Sequence, residues 1–189
     1  VPGDKKEAVK ADWNVFAAQV EDEYHVTDTH MEWHLESCDA QTVLPETVSR
    51  RLISALQAVD NGVFAMCQDK ELEWMVETSS NVASVQSEDN KVVIVSSQRS
   101  NVTSNLNNIC NTVKATYELA GADVEQTDGY PAWQPRHGSE LQRIARETYR
   151  KLFGKEPVVR GIHAGLECGL FSEKYPNLDM VSFGPTLHN

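Results

Sequence analysis

The chain has 189 residues, 40% hydrophobic and 24% charged, with a formal net charge of −11. That is long enough to bury a core without metal or disulfide staples, and fits one domain or one domain and part of a second. The acidic balance disfavours nucleic acid, whose binding begins with Lys and Arg on phosphates, and disfavours an anionic membrane face; no run approaches the roughly 18 apolar residues of a membrane helix.

Residues 4–24 read as a helix, with Val9, Trp13, Phe16 and Val20 on one face. Residues 29–36 alternate: Met31, Trp33 and Leu35 face one way, His30, Glu32, His34 and Glu36 the other. That pattern predicts a strand with one buried face. Pro45 suits the first position of a helix whose stripe is Val48, Leu52, Ile53 and Leu56. Asn61-Gly62 is a turn signal. Strands are predicted over 73–86 and 91–98, joined by the polar loop Ser87-Glu88-Asp89-Asn90. Residues 102–120 read as an amphipathic helix with Val102, Leu106, Ile109, Val113 and Ala120 on one face. Ser100 or Asn101 would cap its start and Gly121 end it. A last short strand is predicted over 122–126. The order implies an α+β layer, an antiparallel sheet with helices on one face.

Turn residues and aromatics crowd 128–135 and mark a boundary. Beyond it, Ser139 and Gln142 match a capping box. Leu141, Ile144, Ala145, Leu152 and Phe153 stripe a helix that Gly154 ends. Strands are predicted over 157–163 and 178–183, with the Gly-rich bend 164–169 between. This reads as a piece of an α/β domain, with the bend at a strand's C-terminal end, where open α/β sheets place ligands.

Four groups of residues invite a chemical reading. His30 and His34 would share a strand face roughly 13 Å apart, too far to grip one metal; a solvated face is expected. Asn101-Val-Thr103 is a formal glycosylation sequon at a helix start, where capping is the expected role. Arg99 ends an apolar strand, where its planar fork can meet a carboxylate; a plain surface Arg is the bland alternative. His163-Ala-Gly-Leu-Glu-Cys-Gly169 sets a His and a Glu around glycines that let backbone approach a ligand. The bland alternative is a tight turn whose Glu167 only caps the next helix. Cys38, Cys67, Cys110 and Cys168 are far apart, without a CxxC pair, and read as reduced thiols.

Ile162-His-Ala-Gly-Leu-Glu-Cys-Gly-Leu-Phe171, then Tyr175-Pro176 and Leu178-Asp-Met-Val-Ser-Phe-Gly-Pro-Thr186, closely resemble the aminoacyl-histidine dipeptidases. So do Val76-Glu-Thr-Ser-Ser-Asn-Val82, Gly129-Tyr-Pro-Ala-Trp-Gln-Pro135 and Arg146-Glu-Thr-Tyr-Arg-Lys-Leu-Phe153. These motifs span residues 76–187; residues 1–75 match in pattern alone. The resemblance implies a cytoplasmic two-zinc metallopeptidase with a lid domain, in which two divalent metals activate a water and a Glu is the general base. It implies lid over 1–128 and a segment of catalytic domain over 129–189. Arg99 falls at the lid arginine that binds the dipeptide's carboxylate. Gly165 falls in a substrate-contacting turn, with His163 and Glu167 beside it.

The resemblance also implies that this is a fragment. The family's base and most metal ligands lie in a segment expected upstream of Val1, as does the lid's own substrate His. The last ligand is a His expected about two positions past Asn189, so His188 is not assigned to it. No catalytic residue and no bound metal are expected in the chain alone. The expected partner is a dipeptide such as Xaa-His, with a homodimer compatible with the fold. A non-catalytic binding or dimerisation module on the same fold is the alternative.

Overall fold

The computed structural model of the protein describes residues 3–38, 42–70, 72–127, 129–134, 136, 138–161, 163 and 166–184. Its elements, in order, are α1 (Lys6–Tyr24), after one 3-10 turn Gly3–Lys5, then α2 (Glu46–Ala58), β1 (Gly62–Met66), β2 (Val76–Glu88), β3 (Lys91–Ser100), α3 (Thr103–Leu119), α4 (Glu140–Phe153) and α5 (Leu166–Lys174). The chain divides into two compact units at Pro45.

In the first unit, α1 forms where the apolar period predicts it. Its stripe works through aromatics: Trp33 meets Trp13 edge-on with ring centroids 5.9 Å apart, and meets Phe16 at 6.3 Å. Edge-to-face contact is the favoured geometry for such rings. Residues 29–36 do not form the predicted strand. Their alternation survives in part, since Met31 and Trp33 are half-buried while Leu35 is exposed. Extended chain becomes a strand only where a neighbour completes its hydrogen bonds, and none of the described residues does so here.

In the second unit, β1, β2 and β3 form an antiparallel sheet in that order. The predicted polar loop shrinks to a turn at Asp89–Asn90, because pairing continues to Glu88 and Lys91. The sequence reading misses β1. Its register shifts twice in five residues, so no clean alternation marks it. The predicted strand over 122–126 does not form; Val124 instead packs, half-buried, against the core.

That core is Ala55 and Val59 against Val113 and Tyr117, with Val82, Ile94 and Ala120 around them. The stripe of α2 keeps Leu52 and Leu56, both half-buried, and differs from the expected one in its other members. Val48 and Ile53 are exposed, and Ala55 faces α3, where a small side chain lets helices approach. On α3, Ile109 and Val113 are buried as expected, and Tyr117 joins them. The sheet face under α3 is unusually polar and is hydrogen-bonded pair by pair. Thr78 meets Ser100 at 2.9 Å, the Gln98 amide donates to Ser80 at 3.2 Å, and Ser96 meets the Tyr117 hydroxyl at 2.7 Å. Buried hydroxyls need such partners.

Val102, not Ser100 or Asn101, is the residue before α3, and no side chain caps that helix. Ser100 accepts instead from the Val102 N–H at 3.0 Å. On α4 the cap is as read: Ser139 accepts from the Gln142 N–H, and Gly154 closes the helix with a left-handed φ of 65°. Its apolar stripe is uncovered by the described residues: Leu141, Ile144, Leu152 and Phe153 are exposed. The strands expected over 157–163 and 178–183 are absent among the described residues. A parallel strand needs neighbours on its flanks, and no described segment supplies one. The architecture is α+β.

Candidate functional site

The site begins with the β2–β3 ladder. Ser79 pairs directly with Arg99. Side chains alternate along a strand, and Thr78, Ser80, Gln98 and Ser100 point toward α3. Ser79 and Arg99 therefore share the opposite, open face. β2 is the central strand, so Ser79 also pairs with Val63 of β1. The Arg99 side chain is exposed and has no carboxylate partner among the described residues. In a chain of net charge −11, an uncommitted guanidinium on a sheet face is a ready carboxylate binder.

The second component arrives from a distant part of the sequence. His163 Nε2 lies 3.0 Å from Ser79 Oγ. The approach is made close by Gly161, where a Cβ would run into the Met75 sulfur. Met75 is buried and leads into β2. Burial lowers the His163 pKa from its ordinary value, and the positive charge of Arg99 lowers it further. The imidazole is thus held toward its neutral form, able to give one hydrogen bond and accept another.

Glu167 is exposed in the first turn of α5, where a carboxylate suits the helix dipole. Gly165 lies outside the described residues, as does His188. Arg99 and His163 thus come together around Ser79, while no described bond ties Glu167 to either. Ser79 lies within the Val76–Val82 motif but is given no role of its own there, because a Ser in a strand carries no chemical pattern. α5 is seated by Gly169, which is buried; a Cβ there would overlap the Pro131 carbonyl oxygen.

The remaining candidates fall elsewhere. His30 meets Thr29 at 2.8 Å, His34 lies 3.6 Å from Glu32, and all four side chains are exposed. Asn101 is only 3% exposed and its amide donates to Cys67 Sγ at 3.5 Å, so the sequon nitrogen is out of reach of a modifying enzyme. A shallow concavity of about 690 Å³ at the end of α5, lined by Phe171, Lys174, Tyr175, Pro176, Asn177 and Leu178, shares no residue with the Arg99–His163 site. No three His, Cys, Asp or Glu among the described residues converge to hold a metal. No described helix is long and apolar enough to cross a membrane.

No family model matches the chain. It is 36% identical over 188 residues to the cytosol non-specific dipeptidase of Escherichia coli (strain K12), covering 99% of this chain and 38% of that protein. The crystal structure of aminoacylhistidine dipeptidase from Vibrio alginolyticus matches with a TM-score of 0.82 at 36% identity, over 98% of this chain and 38% of that one. The chain thus corresponds, in sequence and in fold, to a segment of these dipeptidases and spans 38% of their length.

Proposed function

We propose that this chain is the substrate-binding part of a cytoplasmic, zinc-dependent dipeptidase acting on aminoacyl-histidine and related dipeptides. Residues 1–128 are its lid and 129–189 a segment of its catalytic domain. Arg99 binds the α-carboxylate of the dipeptide through its planar fork. His163 serves as a neutral hydrogen-bonding partner, and Gly165 and Glu167, its near neighbours in sequence, are further substrate contacts. A homodimer is compatible with this reading.

The reading is carried by one observation: the 3.0 Å bond from His163 to Ser79, the residue paired with Arg99. It supports one recognition surface made from two distant stretches of chain. Two divalent metals, when bound, supply the activated water in such an enzyme. The described residues offer no convergent donor set for them. What these residues do is hold and orient the substrate.

Arg99→Ala in the full-length enzyme tests the reading. Loss of a charge-assisted carboxylate bond of about 3 kcal/mol lowers kcat/KM by roughly two orders of magnitude. An unchanged kcat/KM removes Arg99 from the site.

A further inference from the structure

The tether between the two halves of the site is a single hydroxyl. Ser79 sits on the central strand with ladder partners on both sides, Val63 and Arg99. Its backbone is therefore fixed. His163 lies in chain without regular structure, so its ring takes its orientation from what it touches. Among the described residues its hydrogen-bond partner is Ser79 Oγ. Serine is not there for the strand's sake, since β-branched residues suit an open sheet face better. Serine instead brings a hydroxyl within reach of the ring.

We propose that Ser79 is a positioning residue of this site, holding the His163 imidazole by Nε2 beside Arg99 and leaving Nδ1 for substrate. The proposal rests on the reading of Arg99 and His163 given above and adds the residue that joins them. A serine hydroxyl can give or take a hydrogen bond, so it holds the ring at Nε2 in either neutral tautomer and leaves Nδ1 with the opposite role. The ring then adds a directed hydrogen bond, not a second positive charge, beside the Arg99 guanidinium. One formal cation matches the one α-carboxylate of a dipeptide.

The test uses the full-length enzyme with Ser79→Ala and Ser79→Cys. It follows dipeptide hydrolysis and the ring ¹⁵N shifts of His163. Ser79→Ala raises KM about 5- to 20-fold with a smaller change in kcat, as expected for loss of one hydrogen bond that orients a binding group. The ¹⁵N shift of Nε2 changes as it loses its hydrogen-bond partner. Ser79→Cys, close in shape but a weak hydrogen-bonding group, moves that shift in the same way. If Ser79→Ala does not fold, the Cys variant decides the matter. Unchanged KM together with unchanged ring shifts overturns the proposal. Arg99→Ala separates the two claims. If it leaves kcat/KM intact, the dipeptide-site reading fails while the Ser79-dependent ring shift stands. If it abolishes activity and the Ser79 variants move neither KM nor the shifts, Ser79 alone is displaced.

Discussion

The His163 imidazole and the Ser79 hydroxyl meet at 3.0 Å although 84 positions separate them in the chain. That contact turns two motifs into one surface, because Ser79 faces Arg99 across the β2–β3 ladder. Gly161 brings the backbone in against buried Met75, and His163 completes the approach two residues later.

The His163 titration follows from this placement. Burial lowers its pKa and Arg99 lowers it further. A folded-state pKa below the unfolded value means the unfolded chain binds the extra proton first. The contribution to stability is full above the ordinary histidine pKa and is lost as pH falls through the folded value. Arg99→Gln removes the charge and leaves the burial. The His163 pKa then rises part of the way toward its ordinary value, as followed by NMR titration. An unmoved titration would show that the two side chains do not sense each other.

Gly169→Ala tests how α5 is seated. The added methyl overlaps the Pro131 carbonyl oxygen, and backbone cannot swing aside as a side-chain end can. Overpacking of this kind costs about 1–3 kcal/mol. Denaturant unfolding should show it as a lower midpoint with an unchanged slope.

The polar seam beneath α3 gives a paired prediction. Tyr117→Phe leaves the Ser96 hydroxyl without its 2.7 Å partner and should cost about 1–3 kcal/mol. The double variant Tyr117→Phe with Ser96→Ala should cost less than the sum of the two single changes, since it removes both polar ends together. Strict additivity in a double-mutant cycle would mean the bond contributes nothing.

Ser139→Ala removes the side-chain cap of α4 and should lower stability by about 1 kcal/mol. Asp179 accepts from the Leu141 N–H at 2.9 Å in the same helical turn. This bond, the largest of several causes, holds the Asp179 carboxyl below its ordinary pKa. Asp179→Asn should therefore weaken the same helix start, read as faster amide exchange at Leu141 and Gln142.

Elements that carry their own signal are legible from local sequence alone. The 3.6-residue period of α1 and α3, the Ser139 cap and the Gly154 stop of α4, and the β2–β3 hairpin were all legible, because each depends on side chains within a few positions of one another. Arg99 and the stretch around His163 are legible as motifs that resemble the dipeptidases. Tertiary structure decided what depends on distant partners. Among the described residues it formed no strand in 29–36, 157–163 or 178–183, since extended chain needs a neighbour to complete its hydrogen bonds, and it made one of Gly62–Met66, whose broken register hides any alternation. It also chose Ser79, which the Val76–Val82 motif contains without singling out, as the place where Arg99 and His163 meet. A strand's partner and a hydroxyl's neighbour are set by packing across the fold, and no local stretch of sequence encodes them.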